Sequence, residues 1–151
     1  MTLEDAKYYS LLILMGDYEE FDKMIRENIE SQEELSEIVA ELLYVSDDKR
    51  KSFDILNKYH LGKNVNDDVV AARIIEFVKN KLQTGEYDRI KAIDFFIGVA
   101  NSVFASVEEK KEPWITMSLF RYINNAEGEA FIFNSDLDNF LERGTTLTDD
   151  K

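Results

Sequence analysis

Apolar residues recur along this chain at the three- and four-residue intervals of an amphipathic helix, with polar or glycine punctuation between the runs. Thr2 followed by Asp5 predicts a capping pair and a helix from about Leu3 to Met15, stopped by Gly16. Asp17 with Glu20 predicts a second cap, behind which Phe21, Met24, Ile25 and Ile29 follow at helical spacing to a turn near Glu30 and Ser31. Ser31 with Glu34 predicts a third, for a helix whose inward stripe is Leu35, Ile38, Val39, Leu42 and Leu43. After Ser46 a fourth helix carries Phe53, Leu56 and Tyr59 inward and ends at Gly62, leaving Lys63 to Asn66 as a loop.

From Asp67 to about Thr84 the period is set by Val70, Ile74, Phe77 and Val78, and Gly85 closes the helix. The stretch from Asp88 to Ala105 has Ile90, Ile93, Phe96, Ile97, Ala100 and Phe104 on one face. Phe95, Val99 and Val103 make a second side apolar, which predicts a helix in the middle of the fold. Residues Val107 to Glu112 read as a polar connection. Pro113 suits a first helical turn, where its missing N–H has no partner in any case. Trp114, as a buried anchor, then continues inward with Met117, Leu119, Phe120 and Ile123 as far as Gly128. Ser135 and Asp138 predict a last short helix holding Leu137, Phe140 and Leu141, with Phe131 to Phe133 before it as a hydrophobic staple or, alternatively, a short edge strand. The expected fold is all-α, a compact bundle of about eight antiparallel helices or a set of stacked helical hairpins. One domain is expected over residues 1–142, with a flexible tail over 143–151. No self-similarity at a period of 30–45 residues supports a regular solenoid.

Composition narrows this picture. At 151 residues the chain has the size of one domain, able to bury about 68–70% of its unfolded surface. Its hydrophobic share of 44% and aromatic share of 12% are too high for a disordered chain. Cysteine is absent, which removes disulfides, thiolate metal sites and cysteine nucleophiles together. Glu4 and Asp5 stand where an export signal carries cations, and no apolar run approaches the roughly 18 residues of a membrane span. A cytoplasmic location is the expectation.

Charge changes the picture most. Residues 1–50 carry a net of −9, residues 51–105 a net of +1 and residues 106–151 a net of −5, within a total of −13. Such a field repels nucleic-acid phosphates and anionic membranes and favours a basic partner. Twelve acids and two bases, a net of −10, fall between Asp17 and Asp48. Asp17, Glu20, Glu27, Glu30, Glu33, Glu34, Glu37, Glu41, Asp47 and Asp48 are the candidate partner-binding residues. Glu33, Glu37 and Glu41 lie four apart and are expected to form a row opposite the apolar stripe of the third helix. Like charges at that spacing cost about 0.2–0.5 kcal/mol per pair in an isolated helix, and no lysine is interleaved to offset it. The plain alternative is a solvated face that maintains solubility.

Other chemistry finds less support. The single histidine, His60, falls at the end of the fourth helix, where the helix dipole favours an imidazolium; without a second histidine neither H-E-x-x-H nor paired E-x-x-H can form. Asn134, Asp136 and Asp138 mimic the first three ligand positions of a calcium loop, but Asn139 stands where that loop needs glycine and Thr145 where it needs glutamate. Carboxylate pairs are inevitable among 31 acids, and no glycine-rich phosphate loop or G-x-S-x-G elbow is present. No enzyme activity, metal or cofactor is expected.

Glu112-Pro113-Trp114 with Met117, a helix ending near Ala126 to Gly128, and the capped segment from Ser135 to Glu142 resemble small acidic helical immunity proteins of bacterial toxin-immunity systems. The resemblance covers about the last third of the chain. It implies an antidote that sheathes a toxin, commonly a basic nuclease, and brings no catalytic residues with it. Charge and resemblance together give the expected function: a non-enzymatic inhibitor whose acidic helical face binds a basic protein, not nucleic acid or membrane. The alternative is a helical scaffold or adaptor that reads a peptide or helix through an apolar groove.

Overall fold

The computed structural model describes residues 1–103, 113, 114, 116, 117, 120 and 130–143. Seven helices have both ends placed among these residues: α1 (Leu3–Leu14), α2 (Glu19–Glu30), α3 (Glu37–Val45), α4 (Lys49–His60), α5 (Asp67–Thr84), α6 (Arg89–Val103) and α7 (Ala130–Arg143). No strand occurs among the described residues, whose regular structure is all helical. Trp114, Thr116, Met117 and Phe120 are helical as well. The expected connection over 107–112, the helix end near 126–128 and the tail beyond Arg143 lie outside the described residues.

Local chemistry explains most boundaries. Thr2 Oγ1 accepts from the Asp5 amide at 3.0 Å and Asp5 returns the bond to the Thr2 amide, so the capping box forms as its sequence requires. Gly16, Gly62 and Gly85 follow α1, α4 and α5 with φ of 81°, 74° and 78°, a conformation that side chains with a Cβ disfavour. Asp48 caps α4 through the Lys51 amide and Asp88 caps α6 through the Lys91 amide.

Three caps differ from expectation. α2 begins after Tyr18, whose side chain makes no cap bond, while Asp17 Oδ1 accepts from the Glu19 amide at 3.4 Å. Ser31 does not start α3: its hydroxyl accepts from the Glu33 amide in a local turn, and the helix opens six residues later, at Glu37. Ser135 does not start the last helix, because α7 already runs from Ala130; Phe131 to Phe133 are helical and not a strand.

The chain forms two compact units, Met1–Val70 and Ala71–Lys151. The division falls inside α5, where no change of composition marks it. In the first unit α1 to α4 enclose Phe21, Leu42 and Leu56, all fully buried, with Ile13, Met24, Ile25, Ile38 and Val39 around them. Lys49 ties α2 to the start of α4: its Nζ donates to Asp22 Oδ1 and to the Ser46 carbonyl, both at 2.7 Å, and lies 5.4 Å from the Phe21 ring. Ile29, expected inward, is 64% exposed on the last turn of α2.

In the second unit the core is aromatic. Phe140 meets Phe96 at 4.9 Å and Phe120 at 5.4 Å between ring centres, both edge to face, each worth about 0.5–1.5 kcal/mol beyond its buried area. Trp114 is buried, 1% exposed, as the anchor expected of it. α6 buries Ala92, Ile93, Phe95, Phe96, Val99 and Ala100 but leaves Asp94, Asn101 and Ser102 exposed, with Ile90 61% exposed. Phe95 and Val99 of the second apolar side are thus buried with the first, and Asp94, Asn101 and Ser102 mark a remaining side that is polar and exposed.

Phe21→Ala is expected to lower the unfolding free energy by about 3–5 kcal/mol, as deletion of a buried aromatic does, whereas Ile29→Ala changes it by less than about 0.5 kcal/mol. Urea unfolding followed by circular dichroism measures both.

Candidate functional site

The acidic surface is built on the C-terminal turn of α2, the connector over residues 31–36 and the first turns of α3. Eight of the ten candidate residues are exposed, namely all but Asp17 and Glu20, which are half-buried. Glu27 and Glu30 close α2, whose last turn holds no base and whose free carbonyls carry partial negative charge. Two carboxylates at that end act against the helix dipole, and the connector adds Glu33 and Glu34 directly after it. Glu37 stands in the first turn of α3, where an acid is favoured.

The expected row of three is shortened to two. Glu33 precedes α3, held in the turn made by Ser31, so only Glu37 and Glu41 stand one helical turn apart on a common face. The outlying acids are partly committed to structure: Asp22 holds Lys49, and Asp48 caps α4. Glu27, Glu30, Glu33, Glu34, Glu37 and Glu41 form no ion pair with a described residue. Their carboxylates therefore face solvent without an ion-pair partner among the described residues.

Beside Glu37 and Glu41 runs an open groove between α3 and α4. The start of α3 lies against the end of α4 around a recess of about 340 Å³, bordered by Glu37, Glu41, Lys58 and Tyr59. It continues past Glu41 and Ile55 into an apolar recess of about 450 Å³ lined by Ala40, Tyr44 and Val45. Tyr44 is 94% exposed. The sequence reading missed Tyr44 and Ile55, although a signal existed: both are large apolar residues outside the inward stripes of their helices.

No protein-family model, curated protein or solved structure matches the chain. Its sites are therefore weighed on their own chemistry. His60 ends α4 as expected, but it is buried, with Ser10 Oγ 3.4 Å from Nε2. The pair resembles a nucleophile and its base, yet the geometry does not support that role. Ser10 is 2% exposed and donates its proton to the Lys7 carbonyl at 2.7 Å, while the nearby carboxylate, Asp67, is bonded to Lys7 at 2.6 Å. With that hydroxyl proton committed to the Lys7 carbonyl, the contact between Ser10 Oγ and His60 is a hydrogen bond only when Nε2 carries the proton.

Burial, then the adjacent Lys7 charge, hold the His60 imidazolium below its ordinary range, only partly offset by Asp67. The expected imidazolium at the helix end is thus corrected: desolvation outweighs the dipole.

Elsewhere, no group of His, Cys, Asp or Glu among the described residues can hold a metal ion. Asn134, Asp136 and Asp138 lie within continuous α7, which excludes a calcium loop. A recess of about 560 Å³ in the second unit is bordered by Arg89 and Asp138, joined at 2.8 Å, and by Asp88, already the cap of α6. Lys81, which does not line that recess, is buried against Phe77 and donates to Glu86 at 2.6 Å, which lowers the Glu86 pKa. No described helix is long and apolar enough to cross a membrane.

The histidine gives a pH prediction. The unfolded chain takes up its imidazole proton near pH 6.5, the folded chain only at lower pH, so between these values the unfolded state holds more protons. Stability is therefore expected to be level above about pH 6.5 and to fall as pH drops below it. Thermal melts of wild type and His60→Gln from about pH 7.5 to 5.5 measure this, and the slope should be smaller in the variant.

Proposed function

We propose that the chain is a non-enzymatic protein-binding protein, an immunity-type inhibitor acting in the cytoplasm, whose acidic surface covers a basic partner such as a toxin domain. The observation that supports this reading is the run of exposed carboxylates from Glu27 to Glu41, six acids with no ion pair to a described residue. Side chains that serve only to keep a helix soluble need not be of one sign. Here the like charges repel one another along both helices, and the carbonyl end of α2 adds to the same potential. A cationic surface approaching residues 27–41 gains from every one of these terms at once. Complementary charge of this kind raises association rates by about 10- to 1,000-fold at low ionic strength. The binding needs no catalytic group on this chain: blocking follows from occupying the partner's basic surface, where a nuclease holds its phosphate substrate.

Replacing Glu30, Glu33, Glu37 and Glu41 together by lysine tests the reading. Cationic proteins retained by the immobilised wild-type chain at about 0.05 M salt should be released near 1 M, where the screening length falls to about 3 Å. The quadruple variant should lose them at low salt while circular dichroism shows its helices intact. Retention of the same protein by the variant, with an unchanged salt dependence, would show that the acidic surface is not the binding site.

A further inference from the structure

The groove between α3 and α4 combines two features that a merely solvated acidic face does not require. Its floor and one end are apolar: Tyr44 is almost wholly in water, and Ile55 lies half-exposed across from it. A tyrosine buries about 150–250 Å² when it is covered, so its exposure leaves a large part of that contact unmade. The two recesses share Glu41 and Ile55 and so form one trough along α3. From Glu37 to Val45 that helix rises about 12 Å, two turns, which matches the spacing between residues i and i+7 of a second helix laid alongside.

The charges at the rim decide what that second helix is. Glu37 and Glu41 border the trough on the α3 side and Lys58 on the α4 side, and none of the three forms an ion pair with a described residue. Opposite charges in one recess that do not pair with each other are available to an occupant. A second copy of this chain is disfavoured, because it would bring another net −10 over residues 17–48 against the first.

We infer that the groove takes an amphipathic helix of the basic partner. Apolar residues at i, i+4 and i+7 rest on Tyr44 and Ile55, and an edge of lysine or arginine faces Glu37 and Glu41. This rests on the proposed basic partner and adds its docking element: the acidic surface speeds approach, while the groove fixes orientation and residence time. Lys58 at the α4 rim favours a neutral or acidic edge on that side of the incoming helix, which sets its direction.

The probe is a synthetic helix of about 18 residues with leucines on one face, lysines along one edge and glutamines along the other, compared with a scrambled peptide of identical composition that has no apolar face. Binding of each to the full-length chain is followed by fluorescence anisotropy at low and high salt. The ordered peptide should bind at least about tenfold more tightly, an advantage that Tyr44→Ser with Ile55→Ser removes and that Leu14→Ser, exposed on α1, leaves in place. Glu37→Gln with Glu41→Gln should weaken the ordered peptide at low salt and narrow the gap between the two salts. Circular dichroism confirms that each variant is folded. Equal binding of the two peptides, untouched by the change at Tyr44 and Ile55, overturns the groove and leaves the acidic surface standing. Binding of neither peptide at low salt removes the basic-partner reading and the groove with it. Self-association of the free chain that is lost in the Tyr44 variant, measured by sedimentation, overturns the inference in favour of a second copy.

Discussion

Burial of Phe21, Leu42 and Leu56 beneath α2, α3 and α4 is the interaction on which the rest of the first unit depends, because it holds a net charge of −10 within 32 residues. Each buried side chain of this size contributes about 1.5–3 kcal/mol, against a few tenths for each pair of like charges a helical turn apart. The apolar term wins by a wide margin. The protein can therefore keep carboxylates side by side that an isolated helix would separate, and it needs little help from ion pairs to do so. Where compensation does occur it serves position: Lys49 fixes the start of α4 against α2, and Lys7 fixes the start of α5 against α1.

The same margin explains how a polar cluster survives under the first unit. Ser10, His60, Lys7 and Asp67 meet between α1, α4 and the first turn of α5, and each has a partner there. The cost of taking these groups out of water is met by their mutual bonds, apart from the proton that His60 gives up. Burial that leaves the imidazole neutral also removes it from use as an exposed acid or base. The geometry that fits a structural latch is thus the one that makes a catalytic role unfavourable at this place.

How much of this was legible in the sequence depends on the range of the forces involved. α5 was readable to the residue, Asp67 to Thr84, because a period of 3.6 and a closing glycine are local signals. The capping box at Thr2 formed, but the helices further on do not begin behind Asp17, Ser31 or Ser135 as the similar pairs there predict. Ser31 found a closer amide in its own turn, and α7 continued through Ser135 from an earlier start. A two-residue cap signal is weak against such competitors. The charge total of the acidic surface was fully readable, since counting needs no structure, whereas its arrangement was not: one lost cap moved Glu33 off the helix and broke the row. The burial of His60 depends on Ser10, fifty residues away, and no local pattern encodes it.

The surviving acidic surface has a different shape from the one a straight helical row implies, and the difference bears on recognition. A row along one helix offers a line of charge that any polycation can follow. Glu27 and Glu30 at the end of one helix, Glu33 and Glu34 on a connector and Glu37 and Glu41 at the head of the next form instead a patch carried by three consecutive segments. Such a patch attracts without specifying, because long-range fields are insensitive to the shape of what they attract. Specificity requires short-range contact, and the apolar trough with Tyr44 at its end lies immediately beside Glu41. Charge and trough share a residue, so a basic partner of the kind proposed, drawn by the first, would meet the second on arrival.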